Sequence, residues 1–320
     1  MTRNTYRPSL YLALAALLLM LAANAFLQHS SPETPPAVRL VAEGDGYALY
    51  AGEPAPAGET RSFDRETLYQ GLLLYVGTGA PLPEDLPVQQ SRDVRSLVGL
   101  YVPAAERVSL SEDTIYALCR LAADNPLLNT WIMAGMRSPR EQAALQQETF
   151  AAYQRTMPVA EALERAALDI PDSGQSEHQL ATAFDLRFHG RQSWAAEDPM
   201  ARTEDGRWLL ENGWRYGFLR RYPPDKNDVT GVTDETLHWR YVGPVHAAAL
   251  HVTGLCLEEY LALLHREGTL RLADGQGNSW WLLCVPMTET AAAFPVPPGY
   301  AAAVSADNLG YAVCVLSPGA

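Results

Sequence analysis

The chain has 320 residues, a length that suits about two domains of ordinary size. Its 48% hydrophobic and 19% charged content places it with packed globular proteins and away from disordered chains. With 24 Lys+Arg against 37 Asp+Glu the net charge is -13, and no Lys/Arg run interrupts it; this argues against nucleic acid as a partner, because binding phosphates calls for a basic face.

Residues 1–30 carry the features of an export signal. Arg3 and Arg7 precede an apolar run from Leu10 to Leu27 broken only by Asn24, with no acidic residue. Leu10 to Ala23 has the length of a signal-peptide core, and Ala23-Asn24-Ala25 is an A-x-A type cleavage site. Read on to Leu27, the run is just long enough to cross a hydrocarbon layer of about 30 Å as a tilted membrane anchor. On either reading the Arg-bearing end stays inside, so the remainder is expected outside the cytoplasm, anchored or secreted. That remainder is more acidic still, and a carboxylate-rich substrate would need a local basic contact. Residues 31–69, with Pro32, Pro35, Pro36, Pro54 and Pro56, read as a Pro/Gly-rich spacer with one hairpin at Val38–Leu49.

Further along, Leu72–Val76 and Val94–Val102 are apolar and flank a Pro-rich loop. Ser111–Ala123 is apolar at helical spacing, and Thr130–Met133 reads as a short buried strand. Ser138-Pro139-Arg140-Glu141 joins an N-cap serine, a proline at N1 and a glutamate at N3, which predicts a helix running to about Arg155. Arg137 stands immediately before that cap, so its side chain leaves from a rigid corner. A helix at Val159–Leu168, a strand at Ala183–Phe188, a helix at Gly206–Tyr216, a strand at Trp239–Val242 and a helix over His246–Leu264 follow. In residues 266–320, strands at Trp280–Val285, Ala301–Val304 and Tyr311–Leu316 predict a small β-rich extension with Trp280 and Trp281 buried in it. The four cysteines lack C-x-x-C spacing and sit in apolar settings, so buried free thiols are expected; Cys284 and Cys314 are the one pair whose strands could bring them together.

Two of the seven histidines lie near carboxylates: His178, seven residues before Asp185, and His238, three after Glu235. His178, Asp185 and His238 together would offer two nitrogens and an oxygen, a set that leaves the fourth tetrahedral position of zinc open for water. Glu235 is near enough in sequence to take a proton from that water. In a regular strand an offset of three puts side chains on opposite faces, so Glu235–Leu237 should be a turn or bulge; beyond it, Arg240 and Val242 share the face of His238. Spacing of this looseness also fits ordinary hydrogen-bonded or exposed side chains. His189, His246, His251 and His265 have no carboxylate at ligand spacing and are expected on surfaces or helix faces, and Arg221 is expected to be structural, with a place in the pocket lining as the alternative. No G-x-S-x-G elbow and no cysteine with a nearby base in sequence supports a Ser or Cys hydrolase.

At these positions the sequence resembles the VanY-type D-alanyl-D-alanine carboxypeptidases, zinc metallopeptidases of the LAS group. The family pattern S-x-H-x-x-G-x-A-x-D is matched by Ser176, His178, Ala183 and Asp185, and E-x-W-H-x-R-Y-V-G by Glu235, His238, Arg240, Tyr241, Val242 and Gly243. The stretch from Trp214 to Pro223 is similar to W-K-Y-G-F-I-L-R-Y-P, and Gly135-Met136-Arg137-Ser138 to G-Y-R-S. The chain departs from the pattern at Ala181, where the family has glycine, and at Leu237, where it has tryptophan. The resemblance implies an α+β fold, a small antiparallel sheet with surrounding helices, over a zinc carboxypeptidase domain at residues 70–265. It implies zinc (Zn2+) held by His178, Asp185 and His238, Glu235 as general base, and Arg137 holding the substrate carboxylate and polarising the scissile carbonyl, with Ser176 adding a hydrogen bond. The implied substrate is a peptidoglycan stem peptide ending in D-Ala-D-Ala, in association with the cell wall. A D,D-dipeptidase or peptidoglycan endopeptidase with the same site, or a catalytically weakened wall-binding protein, are the competing expectations.

Overall fold

The computed structural model describes residues 38–319 except 87–88, 97–103, 106, 128–129, 189–197 and 234. The export or anchor segment at residues 1–30 and His189 therefore lie outside the described residues, as does part of Val94–Val102.

β1 (Arg39–Gly44) and β2 (Tyr47–Ala51) make the expected hairpin, turned at Asp45 and Gly46, whose φ angles of 49° and 81° belong to the tight turn that follows strand twist. β3 (Glu59–Asp64) runs into the one-turn helix α1 (Arg65–Leu68), capped by Asp64 accepting from Thr67 N–H. The apolar stretch after it forms no regular element; Leu73 and Leu74 are buried, and Tyr75 N–H donates to Asp307 O. β4 (Arg92–Asp93) and β5 (Ser109–Leu110) pair briefly before α2 (Glu112–Asp124), which starts on the N-cap Ser111 and buries Ile115, Leu118 and Leu121.

β6 (Thr130–Ala134) precedes α3 (Pro139–Tyr153) and α4 (Val159–Asp169). The cap of α3 is the predicted reciprocal one: Ser138 accepts from Glu141 N–H while the Glu141 carboxylate accepts from Ser138 N–H. Next come β7 (Ala183–Phe188), α5 (Pro199–Arg202), α6 (Glu204–Asn212) continued by a 3-10 turn at Gly213–Tyr216, β8 (Phe218–Arg220), α7 (Asn227–Thr230) and β9 (His238–Tyr241). Strands β6, β7, β9 and β8, in that order, form an antiparallel four-stranded sheet. One core lies against it, where Phe184, Leu186, Phe218 and Trp239 meet Ile115, Leu118 and Leu121 of α2.

Two helices, α8 (Pro244–Thr253) and α9 (Leu257–Glu267), replace the single helix expected over His246–Leu264, and they bend by 97° at the break. Gly254 ends α8 at φ 64°, its N–H donating to the Leu250 and His251 carbonyls, and Cys256 with Glu259 starts α9. The apolar periodicity passes through the break and hid it. Among the described residues no single helix is long and apolar enough to cross a membrane.

The C-terminal segment adds β10 (Thr269–Asp274), β11 (Ser279–Pro286), β12 (Ala291–Val296), β13 (Tyr300–Ala306) and β14 (Tyr311–Pro318). The strand order β1-β2-β10-β11-β14-β13 makes one antiparallel six-stranded sheet, and β3 pairs with β12. Residues read as spacer and residues read as extension thus share a sheet. Alternation along β11 and β14 buries both faces: Leu282, Cys284, Val313 and Val315 face α8 and α9, while Trp281, Leu283, Cys314 and Leu316 face Phe294, Leu74 and Leu180. Cys284 and Cys314 consequently belong to opposite faces, and all four cysteines are free and buried. The fold is α+β, with small antiparallel sheets interspersed with helices and a C-terminal β-sheet extension.

Candidate metal centre

Sheet register does most of the assembly. On β7 and β9, Asp185 and His238 are directly opposed, which brings together residues 53 positions apart. His178 arrives from a 3-10 turn at Glu177–Leu180, which is buried throughout. That turn ends at Ala181, with φ 58°, before the chain enters β7. Glycine, which the family pattern has here, adopts left-handed backbone freely, and Ala181 takes that conformation with its methyl fully buried.

Each imidazole uses one nitrogen to fix its ring and turns the other toward Asp185. His178 Nδ1 lies 2.7 Å from Gly135 O and must donate there, since a carbonyl only accepts; its Nε2 lies 3.2 Å from Asp185 Oδ2. His238 reverses the assignment, with Nδ1 2.8 Å from Asp185 Oδ1 and Nε2 3.3 Å from the Glu177 carboxylate. The three residues present ligand atoms all within 4.8 Å of one another, two nitrogens and one oxygen, a donor set that fits zinc. Burial raises the Asp185 carboxyl, but His178 and His238 outweigh it and hold the group far below the usual carboxylate range.

Glu235 lies in the expected turn, whose closing bond runs from His238 N–H to Glu235 O, and its Oε2 is 3.9 Å from His238 Nδ1. Burial pushes its carboxyl upward against the pull of His238, with Asp185 and Glu177 adding to the rise. Arg137 sits one residue before the helix cap, its N–H donating to His178 O. Its guanidinium is half-buried near Asp185 and Glu235, and Nε is a buried donor with no hydrogen-bond partner. Such a donor is costly unless something accepts from it. Ser176 is buried just before the 3-10 turn. Arg137, His178, Asp185, Glu235 and His238 are therefore gathered around one spot, with Ser176 two residues before His178 in the chain.

Sequence reasoning missed the ring of charge behind the histidines. Glu177 accepts from Arg221 Nε at 2.8 Å and from Arg240 Nη1 at 2.7 Å, all three side chains being essentially inaccessible. Arg221 also grips Glu258 of α9 with two bonds, and Tyr222 lies against His238 with ring centroids 5.3 Å apart. Arg240 was signalled by its alternation with His238 and Arg221 by its expected structural role, whereas nothing marked Glu177 and Glu258. The remaining histidines among the described residues are tied elsewhere through the fold: His246 is buried against Tyr260, His251 stacks on Trp214 and pairs with Asp45, and His265 pairs with the buried Asp307.

Comparison with known proteins agrees with this geometry. The family model described as "VanY: D-alanyl-D-alanine carboxypeptidase" matches residues 109–244. A D-alanyl-D-alanine carboxypeptidase of Enterococcus faecalis is 40% identical over 131 residues, 41% of this chain and 46% of that relative, so the chain spans about half the length of that protein. One of Enterococcus faecium is 26% identical over 267 residues, 82% of this chain and 80% of that one. Among solved structures, the vancomycin resistance D,D-dipeptidase VanXYg in complex with a D-Ala-D-Ala phosphinate analog matches with a TM-score of 0.64 at 23% identity, over 81% of this chain and 98% of that one, a likeness of fold.

Proposed function

This chain belongs to the VanY family of D-alanyl-D-alanine carboxypeptidases, and on that premise we propose that it is a zinc-dependent hydrolase of the terminal D-Ala-D-Ala amide of peptidoglycan stem peptides. The observation that carries the reading is the convergence of His178 Nε2 and His238 Nδ1 on the two oxygens of Asp185, at 3.2 and 2.8 Å, with Glu235 beside them.

In this reading His178, Asp185 and His238 hold the zinc, which when bound supplies Lewis acidity toward the scissile carbonyl and toward the attacking water. Glu235 takes a proton from that water and delivers it to the departing amine nitrogen, a role favoured by a carboxyl whose burial draws its proton affinity upward. Arg137 binds the terminal carboxylate of the peptide, and its uncommitted Nε–H is a donor in want of an anionic acceptor. Ser176 adds a hydrogen bond to the substrate. The guanidinium also answers the need for a basic contact in a chain of net charge -13.

Stem peptides lie outside the cytoplasmic membrane, so the substrate agrees with an extracytoplasmic, wall-associated enzyme. Residues 1–30 would direct export and, uncleaved, hold it at the membrane. We assign catalysis to residues 70–265, with the strands of residues 39–64 and 269–318 together forming the β extension.

The test is release of D-alanine from a pentapeptide ending in D-Ala-D-Ala, with free D-Ala-D-Ala as a second substrate. Release that a chelator stops and zinc restores is the expected result. Chelator-insensitive release, or none from zinc-loaded protein, would overturn the reading; cleavage of the free dipeptide in preference to the pentapeptide would move it to a dipeptidase.

A further inference from the structure

Glu177 stands between the two histidines' supports and is among the most enclosed ionic groups in the protein, with 1% of its side chain accessible. A lone carboxylate cannot be buried so deeply at tolerable cost. It is compensated by Arg221 and Arg240, both of which donate to Oε1, while Oε2 faces His238 Nε2 at 3.3 Å. The arginines are themselves held at their far ends: Arg221 by two bonds to Glu258, at 2.7 and 3.0 Å, and Arg240 by the Leu72 carbonyl at 2.9 Å. Within this cluster two carboxylates and two guanidiniums balance, which is what lets Glu177 remain ionised while buried. With both guanidiniums donating to it, Glu177 is an ionised acceptor, and the proton in its contact with His238 must come from Nε2.

We propose that Glu177 is a positioning residue of the metal centre: by accepting from His238 Nε2–H it fixes Nε2 as the nitrogen that keeps its proton and leaves Nδ1, beside Asp185, as the one presented to the metal, while the arginine pair keeps Glu177 from serving as a ligand itself. This rests on the reading of His238 as a zinc ligand. His178 obtains the opposite tautomer from Gly135 O, so the centre combines one Nε2 ligand and one Nδ1 ligand, each fixed by an acceptor on the far side of its ring. The role extends to α9, because Glu258 orients Arg221, which orients Glu177.

Zinc affinity measured by competition with a chromophoric chelator tests it. Glu177→Gln and Glu177→Ala should weaken zinc binding by about 10- to 100-fold, and Glu258→Gln by less, whereas His238→Ala should abolish tight binding. A purely structural role would lower the melting temperature of the metal-free variants and leave the affinity of the folded fraction within twofold of the parent. That result, with His238→Ala still defective, overturns the positioning role alone. Unchanged affinity in His238→Ala overturns the zinc reading beneath it. Should the Glu177 variants not fold, ring-nitrogen NMR of the unsubstituted zinc-loaded protein decides: protons on Nε2 of His238 and Nδ1 of His178 are expected, and a proton on Nδ1 of His238 overturns the proposal.

Discussion

Glu235 reaches the metal centre because the chain leaves the strand ladder between it and His238; the turn closed by His238 N–H to Glu235 O returns the carboxylate to the imidazole's side. Its carboxylate is desolvated on the side facing the centre while 43% of the side chain stays open to solvent, so replacing it disturbs little packing. Glu235→Gln should therefore lower kcat by about 10²- to 10⁴-fold while zinc stoichiometry, measured on the same sample, stays at that of the parent. Loss of zinc along with activity would mean that Glu235 acts as a ligand. This part of the site was legible from sequence, since the offset of three demanded a turn. Ala181 was less so: the sequence marks only its departure from the family glycine, whereas its φ of 58° shows that backbone handedness is the constraint. His246 was read as peripheral and is instead enclosed against Tyr260 at 2.9 Å. Burial, assisted by Arg240, drives its pKa down to about 4. The unfolded chain, titrating near 6.5, takes up a proton that the folded chain refuses, so stability is intact above about pH 6.5 and is lost as the pH falls toward 4, by about 3 kcal/mol for this group. Urea unfolding of metal-free protein across that range should show the difference between parent and His246→Gln shrinking by this amount; a pH-independent difference would count against it.

Helix starts and strand alternation were legible at the element scale because each rests on neighbours in sequence. Ser138-Pro139-Arg140-Glu141 predicted both the start of α3 and the corner that Arg137 leaves from, and the reciprocal cap is present. Removing it with Ser138→Ala should cost about 1 kcal/mol of stability. Because Arg137 is the adjoining residue, the same change should raise KM for the pentapeptide more than it lowers kcat, with zinc content unchanged. Steady-state kinetics beside a thermal melt would check both, and an unaltered KM would detach the cap from substrate binding. The break between α8 and α9 was illegible because the hydrophobic period continues across it, and only the left-handed Gly254 marks it. β12 escaped notice because Ala291–Val296 contains Pro295 and few branched residues; it is a strand by virtue of pairing with β3, more than 200 residues away in sequence.

Long-range pairing also governs the molecule as a whole, and it is what a linear reading handles least well. Residues 39–51 looked like part of a spacer because Pro and Gly surround them, yet β2 pairs with β10, and Arg271 donates to Glu53 across the same junction at 2.6 Å. The core beneath that sheet is common property: Leu250, Leu257, Leu261 and Leu264 of α8 and α9 close against Leu49, Leu270, Leu272, Leu282, Val313 and Val315. Leu180, from the turn that delivers His178, closes the opposite face together with Leu283 and Leu316. Ending the chain after Glu267 would thus strip partners from both the helices behind β9 and the turn before β7. At about 1.5–3 kcal/mol for each buried aliphatic side chain left exposed, the loss is as large as the 5–15 kcal/mol typical of a whole domain. A chain ending at Glu267 is expected to lack a cooperative thermal transition and to retain no zinc after desalting. Cooperative unfolding with full zinc occupancy in that truncation would instead make residues 266–320 an independent module, and the six-stranded sheet would then be a docking of two units instead of one shared core.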